Sequence, residues 1–474
     1  MNLGISTFVR TKIKTLALIK SISGIRGTIG GKAGENLSAQ DIVECTAAFG
    51  DWIIQAGKAK KVVVGRDARI SGPMVQALVS QTLISLGIEV IDLGLSTTPT
   101  VEMAVPWEHA GAGIIITASH NPKEWNALKF LNDKGEFISK ADGEAILKKI
   151  ESADINYASV EDLGQLVPKT GYLGKHIQAI LDHPLVNVPL IQAKKFKIVV
   201  DGINSSGAIS IPPLLEQLAC ECILINGEPN GHFAHNPEPL AKHLTQISDR
   251  IKVEKADLGI VVDPDVDRLA FVCEDGSMFG EEYTLVAVAD YFLQHRPGNT
   301  VSNLSSTRAL RDVTLKHGGS YFASAVGEVN VVTQMKACNA VIGGEGNGGI
   351  IVPDLHYGRD ALAGIGLFLS HLAAQNCSMT GLKRQYPSYE MVKDKLALSP
   401  SLDLQKILLN LQELYSQEDL NTIDGLKINF KSGWLHLRKS NTEPIIRIYA
   451  EAESMDTAQA LVSQIKNDIE NLIK

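Results

Sequence analysis

The feature that most constrains how this 474-residue chain folds is a strand–helix–strand pattern that occurs three times. The first copy begins with a β-branched run at residues 61–65, and apolar residues then recur at helical spacing between Ser71 and Gly87. A second apolar run at residues 88–93 closes the copy. Short apolar strands that alternate with amphipathic helices are typical of an α/β layer. The pattern therefore predicts α/β units and argues against an all-helical or all-β architecture.

The other two copies follow at spacings of more than one hundred residues, which indicates repeated domains and not a solenoid. Their predicted elements are strands at 196–200, 222–225, 300–304 and 340–342, and helices at 211–218 and 308–315.

The C-terminal part has a different pattern. Residues 425–430 and 434–438 alternate apolar with polar side chains, as in a hairpin of a half-exposed sheet, and residues 455–473 form an amphipathic helix. The polar stretch at 385–399 is predicted to be a linker before this unit. The expected fold is α/β, with three similar α/β domains that contain mixed sheets and a smaller C-terminal α+β domain. The predicted domains are residues 17–170, 171–278, 279–384 and 385–474.

Composition argues against several classes of protein. Apolar residues make up 45% of the chain and charged residues 21%, which excludes global disorder. The net charge of -8 argues against broad binding to nucleic acid or to an anionic membrane, so an anionic ligand needs a local basic pocket. The sequence has no apolar run of about 18 residues and no signal-peptide core at its start. Six cysteines without a CxxC pair favour reduced thiols, and a cytoplasmic location is expected.

Four polar strings could carry chemistry, and the first is Thr117-Ala118-Ser119-His120-Asn121-Pro122. It follows the apolar run at 113–116, which predicts that Ser119 lies at the C-terminal edge of a sheet, where α/β proteins bind ligands. Such a serine is either a nucleophile or part of an ordinary Ser/Asn/Pro turn. The string is not a GxSxG elbow, so hydrolase triad chemistry has no support.

The second string is Asp263-Pro264-Asp265-Val266-Asp267-Arg268, again directly after an apolar strand. Three carboxylates at i, i+2 and i+4 of an extended backbone point to one side and repel, so a magnesium site is favoured over a solvated acidic turn. An EF-hand is excluded because Arg268 replaces the obligatory glycine. Since repulsion would fall, Asp265→Asn is expected to leave the metal-free protein as stable as before, or more so.

The third string, Gly344-Glu345-Gly346-Asn347-Gly348-Gly349, matches the dinucleotide pattern GxGxxG by letter. A dinucleotide fingerprint must open a helix, but a β-branched run and Pro353 follow here, so the nicotinamide interpretation is rejected. Glu345 and Asn347 are instead predicted to lie on a flexible glycine loop, where they would hydrogen-bond sugar hydroxyls.

The fourth string is Arg438-Lys439-Ser440-Asn441-Thr442-Glu443-Pro444, with Arg447 just beyond it. Arginine forks, hydroxyls and turn amides suit a phosphate dianion better than an ordinary surface turn does. The four strings lie on four predicted domains, so a single site would form in a central cleft where these domains meet. Two separate anion sites, one at Ser119 and one at Arg438, suit an enzyme that holds one phosphate while the other reacts.

Together with Ser23-Gly24-Ile25-Arg26-Gly27, these strings resemble, in order, the motifs of the α-D-phosphohexomutase family. The resemblance extends from Lys20 to the C-terminus. It is strongest to the phosphoglucosamine mutase branch, with the phosphoglucomutase/phosphomannomutase branch as a near relative.

The resemblance implies a role for each matched residue. Ser119 would be the phosphoserine, and Arg26, His120 and Lys129 would line the reaction centre, with Lys129 or His120 as general acid/base. The remaining implied roles are Mg²⁺ binding by Asp263, Asp265, Asp267 and a phosphoserine oxygen, steadying of the phosphoryl group or the sugar by Arg268, sugar binding by Glu345 and Asn347, and phosphate binding by Arg438, Ser440, Asn441, Thr442 and Arg447.

The implied reaction is isomerisation of a hexosamine or hexose 6-phosphate to its 1-phosphate, with Mg²⁺ as cofactor and a sugar 1,6-bisphosphate as intermediate and activator. Glucosamine 6-phosphate, on the way to UDP-N-acetylglucosamine, is the preferred substrate. The expected partner is a small sugar phosphate, with no nucleic acid and no membrane, and the protein is expected to be a monomer or homodimer. The alternatives are a phosphoglucomutase/phosphomannomutase, a Mg²⁺-dependent sugar phosphatase that uses the same serine, and a silent sugar-phosphate-binding protein.

The chain departs from the family pattern at the third string, residues 344–349, which we call the sugar loop. Many members carry histidine at the position of Gly349 and serine at that of Asn347. The departure leaves the phosphate and metal residues unchanged and bears on the choice of sugar. The first fifteen residues exceed what the family needs and are interpreted as an extension or a misassigned start.

Overall fold

The computed structural model describes residues 17–21, 24–397, 404–439 and 445–473. These residues form four β-sheets, three of them mixed and the last fully antiparallel. This arrangement confirms the expected fold class of three α/β domains and a C-terminal α+β domain. The exact domain boundaries stay a prediction.

The first domain is built on a seven-stranded sheet in the order β1-β2-β6-β5-β3-β4-β7. Its strands β3, β4, β5 and β7 run parallel, whereas β1, β2 and β6 pair antiparallel at the other edge. Its elements are β1 (Ile19–Ser21), β2 (Gly24–Thr28), α1 (Ala39–Gln55), β3 (Lys61–Arg66), α2 (Gly72–Ser85), β4 (Glu89–Leu95), α3 (Thr98–Trp107), β5 (Ala112–Ile116), β6 (Trp125–Leu131), α4 (Lys140–Ser152) and β7 (Leu166–Pro168).

The second and third domains have four-stranded sheets in the orders β11-β10-β8-β9 and β13-β12-β14-β15. Their elements are α5 (Tyr172–Leu181), α6 (Val188–Lys194), β8 (Lys197–Asp201), α7 (Gly207–Gln217), β9 (Glu221–Ile225), α8 (Thr245–Glu254), β10 (Leu258–Val262), β11 (Leu269–Cys273), α9 (Glu281–His295), β12 (Asn299–Asn303), α10 (Ala309–Lys316), β13 (Tyr321–Ser324), α11 (Glu328–Cys338), β14 (Ala340–Glu345), β15 (Gly349–Ile351), α12 (Ala361–Gln375) and α13 (Met379–Lys383).

Helix α7 begins earlier than the sequence pattern predicts. The expected start lay at residue 211, beside Pro212 and Pro213, but the helix begins at Gly207 and contains both prolines. The loop before it is fixed to the Asp263 string, because the Ser205 hydroxyl and the Ser206 amide both donate to the Pro264 carbonyl. This anchoring fixes the start of the helix, which continues through two prolines that cannot donate a backbone hydrogen bond.

The C-terminal domain is a five-stranded antiparallel sheet in the order β16-β20-β19-β18-β17. Much of the predicted linker at 385–399 is in fact edge strand β16, whose eight residues all pair with β20, so that prediction was wrong. The elements are β16 (Glu390–Ala397), α14 (Leu404–Leu414), β17 (Asp419–Asn421), β18 (Leu426–Phe430), β19 (Gly433–Lys439), β20 (Ile445–Ala452) and α15 (Met455–Ile473).

The second and third domains share one continuous apolar core. Phe271 of β11 stacks on Phe368 of α12 with ring centroids 3.8 Å apart, and Phe279 packs edge-on against the same ring. The first domain and the C-terminal domain have cores of their own. The middle of the molecule is therefore one packed body that carries two sheets.

Two further expectations can be compared with the described residues. None of the six cysteines forms a disulfide, and Cys45, Cys220 and Cys273 are buried. Among the described helices, none is both long and apolar enough to cross a bilayer.

The core of the first domain gives a test of the fold. Phe130 of β6 is 1% exposed and stacks on Phe49 of α1 at 4.3 Å. We expect Phe130→Ala to lower the free energy of unfolding of this domain by about 3–5 kcal/mol, measured by urea denaturation, because it leaves a cavity. The control is Val160→Ala, at a side chain that is 76% exposed, and it should change stability by less than about 0.5 kcal/mol. Equal effects of the two changes would contradict this packing.

Candidate active site

Ser119 lies just beyond the C-terminal end of β5, in a left-handed backbone conformation with φ 48°. Its amide donates to the Thr117 hydroxyl at 2.9 Å, and that hydroxyl donates to Asp67 at 2.6 Å. Local hydrogen bonds therefore impose the backbone strain at Ser119 and turn this serine out of the strand direction.

Arg69, which sequence reasoning missed, holds this loop in place. It is fully buried and paired with Asp67 at 3.0 Å. Its guanidinium also donates to the backbone carbonyls of Ser119, Asn121, Pro122 and Trp125. The available signal was an Asp-x-Arg pair directly after strand β3.

The three aspartates of the second string converge, with ligand oxygens within 4.8 Å of one another. All three are buried. The expected extended backbone is wrong, because Val266 has φ 63° and its amide donates to the Asp263 carbonyl, so the carboxylates meet through a turn. Across the domain boundary, the Ser119 hydroxyl donates to Asp263 at 2.6 Å. The first and second strings therefore form one site.

Lys129 of β6 faces the aspartates from the first domain. Its ammonium lies 2.7 Å from Asp265 and 3.5 Å from Asp267. Burial acts to raise the pKa of Asp265, but Lys129 outweighs it and the pKa is lowered. Burial and the two neighbouring carboxylates instead raise the pKa of Asp263.

The donor set fits a magnesium ion. One oxygen each of Asp265 and Asp267 (the Oδ1 atoms) is buried without a hydrogen-bond partner among the described residues. Unpartnered buried carboxylate oxygens are costly unless a cation or a proton reaches them. Carboxylate oxygens with few other donors are the ligands that Mg²⁺ takes in proteins.

A cavity of about 90 Å³ opens beside Ser119. Cationic side chains from three domains line it, namely Arg26, Lys129, Arg268 and Arg359, together with His120. The charge of Arg268, burial and the charge of Arg26 lower the pKa of His120 to about 2, so its imidazole is neutral at neutral pH. This concentration of positive charge suits an anion next to the serine, and Lys129 and His120 both remain candidates for the general acid/base.

Arg359 of the third domain is a second residue that sequence reasoning missed. Its guanidinium donates to Asp267 at 2.7 Å, to Glu345 at 2.8 Å and to Glu328 at 2.9 Å. Burial acts to lower the pKa of Arg359, but Asp267 and Glu328 outweigh it and raise that pKa. One side chain thus joins the aspartate loop to the Glu345 loop.

The Glu345 loop is a tight turn between β14 and β15 and opens no helix, as the sequence predicts. It is packed, however, and the expected flexible loop is wrong. Glu345 is 4% exposed and accepts from Asn303 and from the Gly327 amide as well as from Arg359. The Asn347 side chain accepts from the Gly349 amide at 3.2 Å.

A buried polar chain joins the first three domains behind this site. Asp360 caps helix α12 and lies 2.8 Å from His176 of α5 and 3.3 Å from His356. His356 also lies 3.2 Å from Glu102 of α3. Burial acts to lower the pKa of His356, but Asp360 and Glu102 outweigh it and raise the pKa to about 10, so the ring is charged.

The fourth string belongs to a separate sheet. Arg438 of β19 lies directly opposite Arg447 of β20, and Arg447 lies directly opposite Lys395 of β16, another residue that sequence reasoning missed. Like charges opposite one another repel, so this cationic row favours an anion above it. Arg438 also lies 3.4 Å from Asp424. The predicted partners Ser440, Asn441 and Thr442, like Ser23 of the N-terminal string, lie outside the described residues.

The C-terminal sheet contacts the third domain beside the Glu345 loop. The Ser305 hydroxyl and His436 are 2.9 Å apart, and the Val326 amide donates to Asp424 at 3.0 Å. The structure thus brings the first three strings together and sets the fourth on a sheet that meets their cleft.

Comparison with known proteins agrees with this arrangement. Family models described as phosphoglucomutase/phosphomannomutase match four consecutive stretches of the chain. They are α/β/α domain I at residues 18–156, domain II at 174–276, domain III at 280–389 and the C-terminal domain at 392–467. The chain belongs to this family, which confirms the α-D-phosphohexomutase resemblance.

Individual relatives match over nearly the whole chain. A phosphoglucomutase/phosphomannomutase of Thermococcus kodakarensis is 34% identical, over 91% of this chain and 95% of its own. A phosphoglucosamine/phosphogalactosamine mutase of Sulfurisphaera tokodaii is 32% identical, over 94% of this chain and 98% of its own. The crystal structure of a phosphoglucomutase/phosphomannomutase family protein from Burkholderia thailandensis matches with a TM-score of 0.81 at 24% identity and covers 97% of this chain and 96% of that one.

The contacts of the aspartates predict different effects for two substitutions. Charge repulsion alone predicts that Asp265→Asn leaves the metal-free protein as stable as before or more so, but the ion pair of Asp265 with Lys129 predicts a loss of stability. Asp265→Asn should lower the free energy of unfolding in EDTA by about 1.5–3 kcal/mol, because it removes the nearer charged partner of the partly buried Lys129 ammonium and leaves only Asp267 at 3.5 Å. Asp263→Asn should stay within about 1 kcal/mol of wild type, because the hydrogen bonds of Asp263 come from neutral donors, the Ser119 hydroxyl and two backbone amides, and its nearest cation is 3.9 Å away. Urea denaturation measures both, and equal losses would contradict the assigned contacts.

Proposed function

We propose that the chain is a phosphohexomutase that interconverts hexosamine or hexose 6-phosphates and 1-phosphates, with glucosamine 6-phosphate as preferred substrate. The observation that carries this proposal is the hydroxyl of Ser119, hydrogen-bonded to Asp263 at 2.6 Å beside a cavity lined by four cations. Phosphoryl transfer depends on positioning and on charge neutralisation, which this cavity provides.

In the proposed cycle, phosphorylated Ser119 gives its phosphoryl group to the free hydroxyl of a sugar 6-phosphate, and the serine oxygen takes up a proton. The bisphosphate that forms then reorients in the site by about half a turn. Its 6-phosphoryl group is transferred back to Ser119, which leaves the sugar 1-phosphate. Arg26 and Arg268 neutralise the transferring group, and Lys129 or His120 moves the hydroxyl proton. Asp263, Asp265 and Asp267 would hold Mg²⁺, which when bound adds positive charge at the phosphoryl oxygens.

A second anion site separates a mutase from a phosphatase. A mutase must hold the phosphate that does not react, whereas a phosphatase needs one anion site and access for water. The cationic row of Lys395, Arg447 and Arg438 supports the presence of this second site. We propose that Ser440, Asn441 and Thr442 complete it.

The choice of sugar rests on the relatives and on the packed loop. The Sulfurisphaera tokodaii relative is named for two hexosamine phosphates, and the Thermococcus kodakarensis relative for glucose and mannose phosphates. We propose that Glu345 and Asn347 contact the sugar. A hexosamine ammonium would gain from a carboxylate beside it, which favours glucosamine over glucose.

The proposed function is tested with wild-type protein, Mg²⁺, a catalytic amount of sugar 1,6-bisphosphate and, separately, the 6-phosphates of glucosamine, glucose and mannose. The proposal expects the 1-phosphate as product, with the highest kcat/KM for glucosamine. Stoichiometric release of inorganic phosphate would make the chain a phosphatase. A higher kcat/KM for glucose 6-phosphate or mannose 6-phosphate would agree with mutase activity but contradict glucosamine 6-phosphate as the preferred substrate.

Ser119→Ala tests the phosphoryl carrier. Intact-mass measurement after incubation with sugar bisphosphate should show one added phosphoryl group on the wild type and none on the variant. Turnover should fall by at least roughly a thousandfold, because the covalent step is removed. The matched control is Ser152→Ala, at an exposed serine of the same domain, which should retain both the phosphoryl group and turnover. A phosphoryl group on Ser119→Ala would place the carrier elsewhere.

Arg438→Ala tests the second anion site. Loss of a charged hydrogen bond to phosphate costs about 1.5–3 kcal/mol, so kcat/KM should fall roughly 10- to 150-fold in both directions of isomerisation. Release of bisphosphate into solution should rise, because its anchor is weaker during reorientation. Arg250→Ala, at a helix-surface arginine paired with Glu254, is the control. Unchanged isomerisation and retention in Arg438→Ala would remove the cationic row from the mechanism.

A further inference from the structure

The sugar loop contains a glycine whose space is taken by an arginine. A Cβ atom built on Gly349 would lie 2.2 Å from Cδ and 2.9 Å from Cγ of Arg359. Gly349 does not have a left-handed backbone, unlike Gly348 with φ 85°, so a side chain is opposed by neighbouring atoms, first by Arg359 and less severely by the Asn347 oxygen at 3.2 Å. A larger residue at 349, such as the histidine that many family members carry there, cannot coexist with Arg359 in its present position.

The guanidinium of Arg359 donates hydrogen bonds to two loops, to Asp267 in one and to Glu345 in the other. It contacts one oxygen of Asp267, and the other oxygen of that carboxylate is buried without a hydrogen-bond partner among the described residues, with Arg268 3.9 Å away. It also contacts one oxygen of Glu345, whose other oxygen accepts from Asn303 and the Gly327 amide. Arg359 is therefore the nearest group to one oxygen of Asp267, which Lys129 also approaches at 3.5 Å, and it leaves the other oxygen for a cation while it helps to fix the Glu345 side chain.

The remaining contacts hold Arg359 rigidly. Glu328, the first residue of α11, accepts from both the backbone amide and Nε of Arg359. The side chain is about nine-tenths buried and lines the Ser119 cavity. Because the planar guanidinium is buried and bonded to both loops, it holds the distance between them fixed.

We infer that Arg359 is a positioning residue that fixes the loop of residues 263–268, the metal loop, relative to the sugar loop of residues 344–349. Gly349 has no side chain, and this absence leaves the space that Arg359 occupies. The inference rests on the proposed function for the meaning of the two loops. Its physical content is a steric coupling between positions 349 and 359 and an ion pair between Arg359 and Asp267. The effect of both on cation binding can be measured without turnover.

The test is a double-mutant cycle of Gly349→Ala, Arg359→Ala and the double variant, with Mg²⁺ affinity from calorimetry and kcat and KM from isomerisation. Gly349→Ala should weaken Mg²⁺ binding roughly 10-fold and lower kcat by a similar factor, because the methyl displaces Arg359. The double variant should bind Mg²⁺ no more weakly than Arg359→Ala alone, since the methyl then has nothing to displace.

A matched control separates positioning from general strain. Gly50→Ala places a Cβ 2.4 Å from Leu86 within the core of the first domain, outside both loops, and should lower the melting temperature without changing Mg²⁺ affinity. Arg359→Lys, which keeps the charge but loses the fork, serves if Arg359→Ala does not fold, and should also weaken Mg²⁺ binding.

Wild-type Mg²⁺ affinity in Gly349→Ala, or additive losses in the double variant, would overturn the inference. The two proposals fail separately. If the wild type had no isomerase activity, the proposed function would be wrong, but the Mg²⁺ affinities of the double-mutant cycle would still test the role of Arg359. If the wild type were active and the losses of Mg²⁺ affinity were additive, only the role of Arg359 would be wrong.

Discussion

The rest of the structure depends on the burial of three neighbouring carboxylates. Asp263, Asp265 and Asp267 could not stay together out of water on one loop without opposite charge close by. Arg268 of the same loop lies 3.9 Å from Asp263 and Asp267, but the closer positive charges come from other domains, as Lys129 of the first and Arg359 of the third. The buried carboxylates of the second domain are therefore neutralised in large part by side chains of its neighbours, so the contacts between domains and the aspartate site depend on each other.

Each loop of the site is held in place by specific contacts. Arg69 fixes the serine loop by its backbone carbonyls, the turn at Val266 fixes the aspartates, and Arg359 fixes the glycine turn. Phosphoryl transfer gains from groups that need not reorganise as charge moves. The C-terminal sheet is held to the third domain by several polar contacts, which include His436 with Ser305, Asp424 with the Val326 amide, Lys427 with the Leu304 carbonyl and Glu451 with the Arg308 amide.

Sequence patterns predicted the α/β class, the three repeats and the convergence of three motifs, because strand periodicity and the position of polar residues after strands are local signals. They failed where long-range partners decide. The start of α7 depends on Pro264, and β16 is a strand because β20 pairs with it. Arg69 and Arg359 look ordinary in sequence, since their importance lies in carbonyls and carboxylates that are distant along the chain or brought there by a turn.

The apolar core that the second and third domains share has a consequence for how such chains can diversify. With Phe271 and Phe368 stacked across the boundary, exchange of either domain alone between relatives would leave two mismatched halves of one core. Exchange of both together would keep that core and carry Gly349, Arg359 and Asp267 as a unit. Viable recombination between members of the family should therefore place its crossovers before α5 and after α13, so the middle of the molecule is inherited whole.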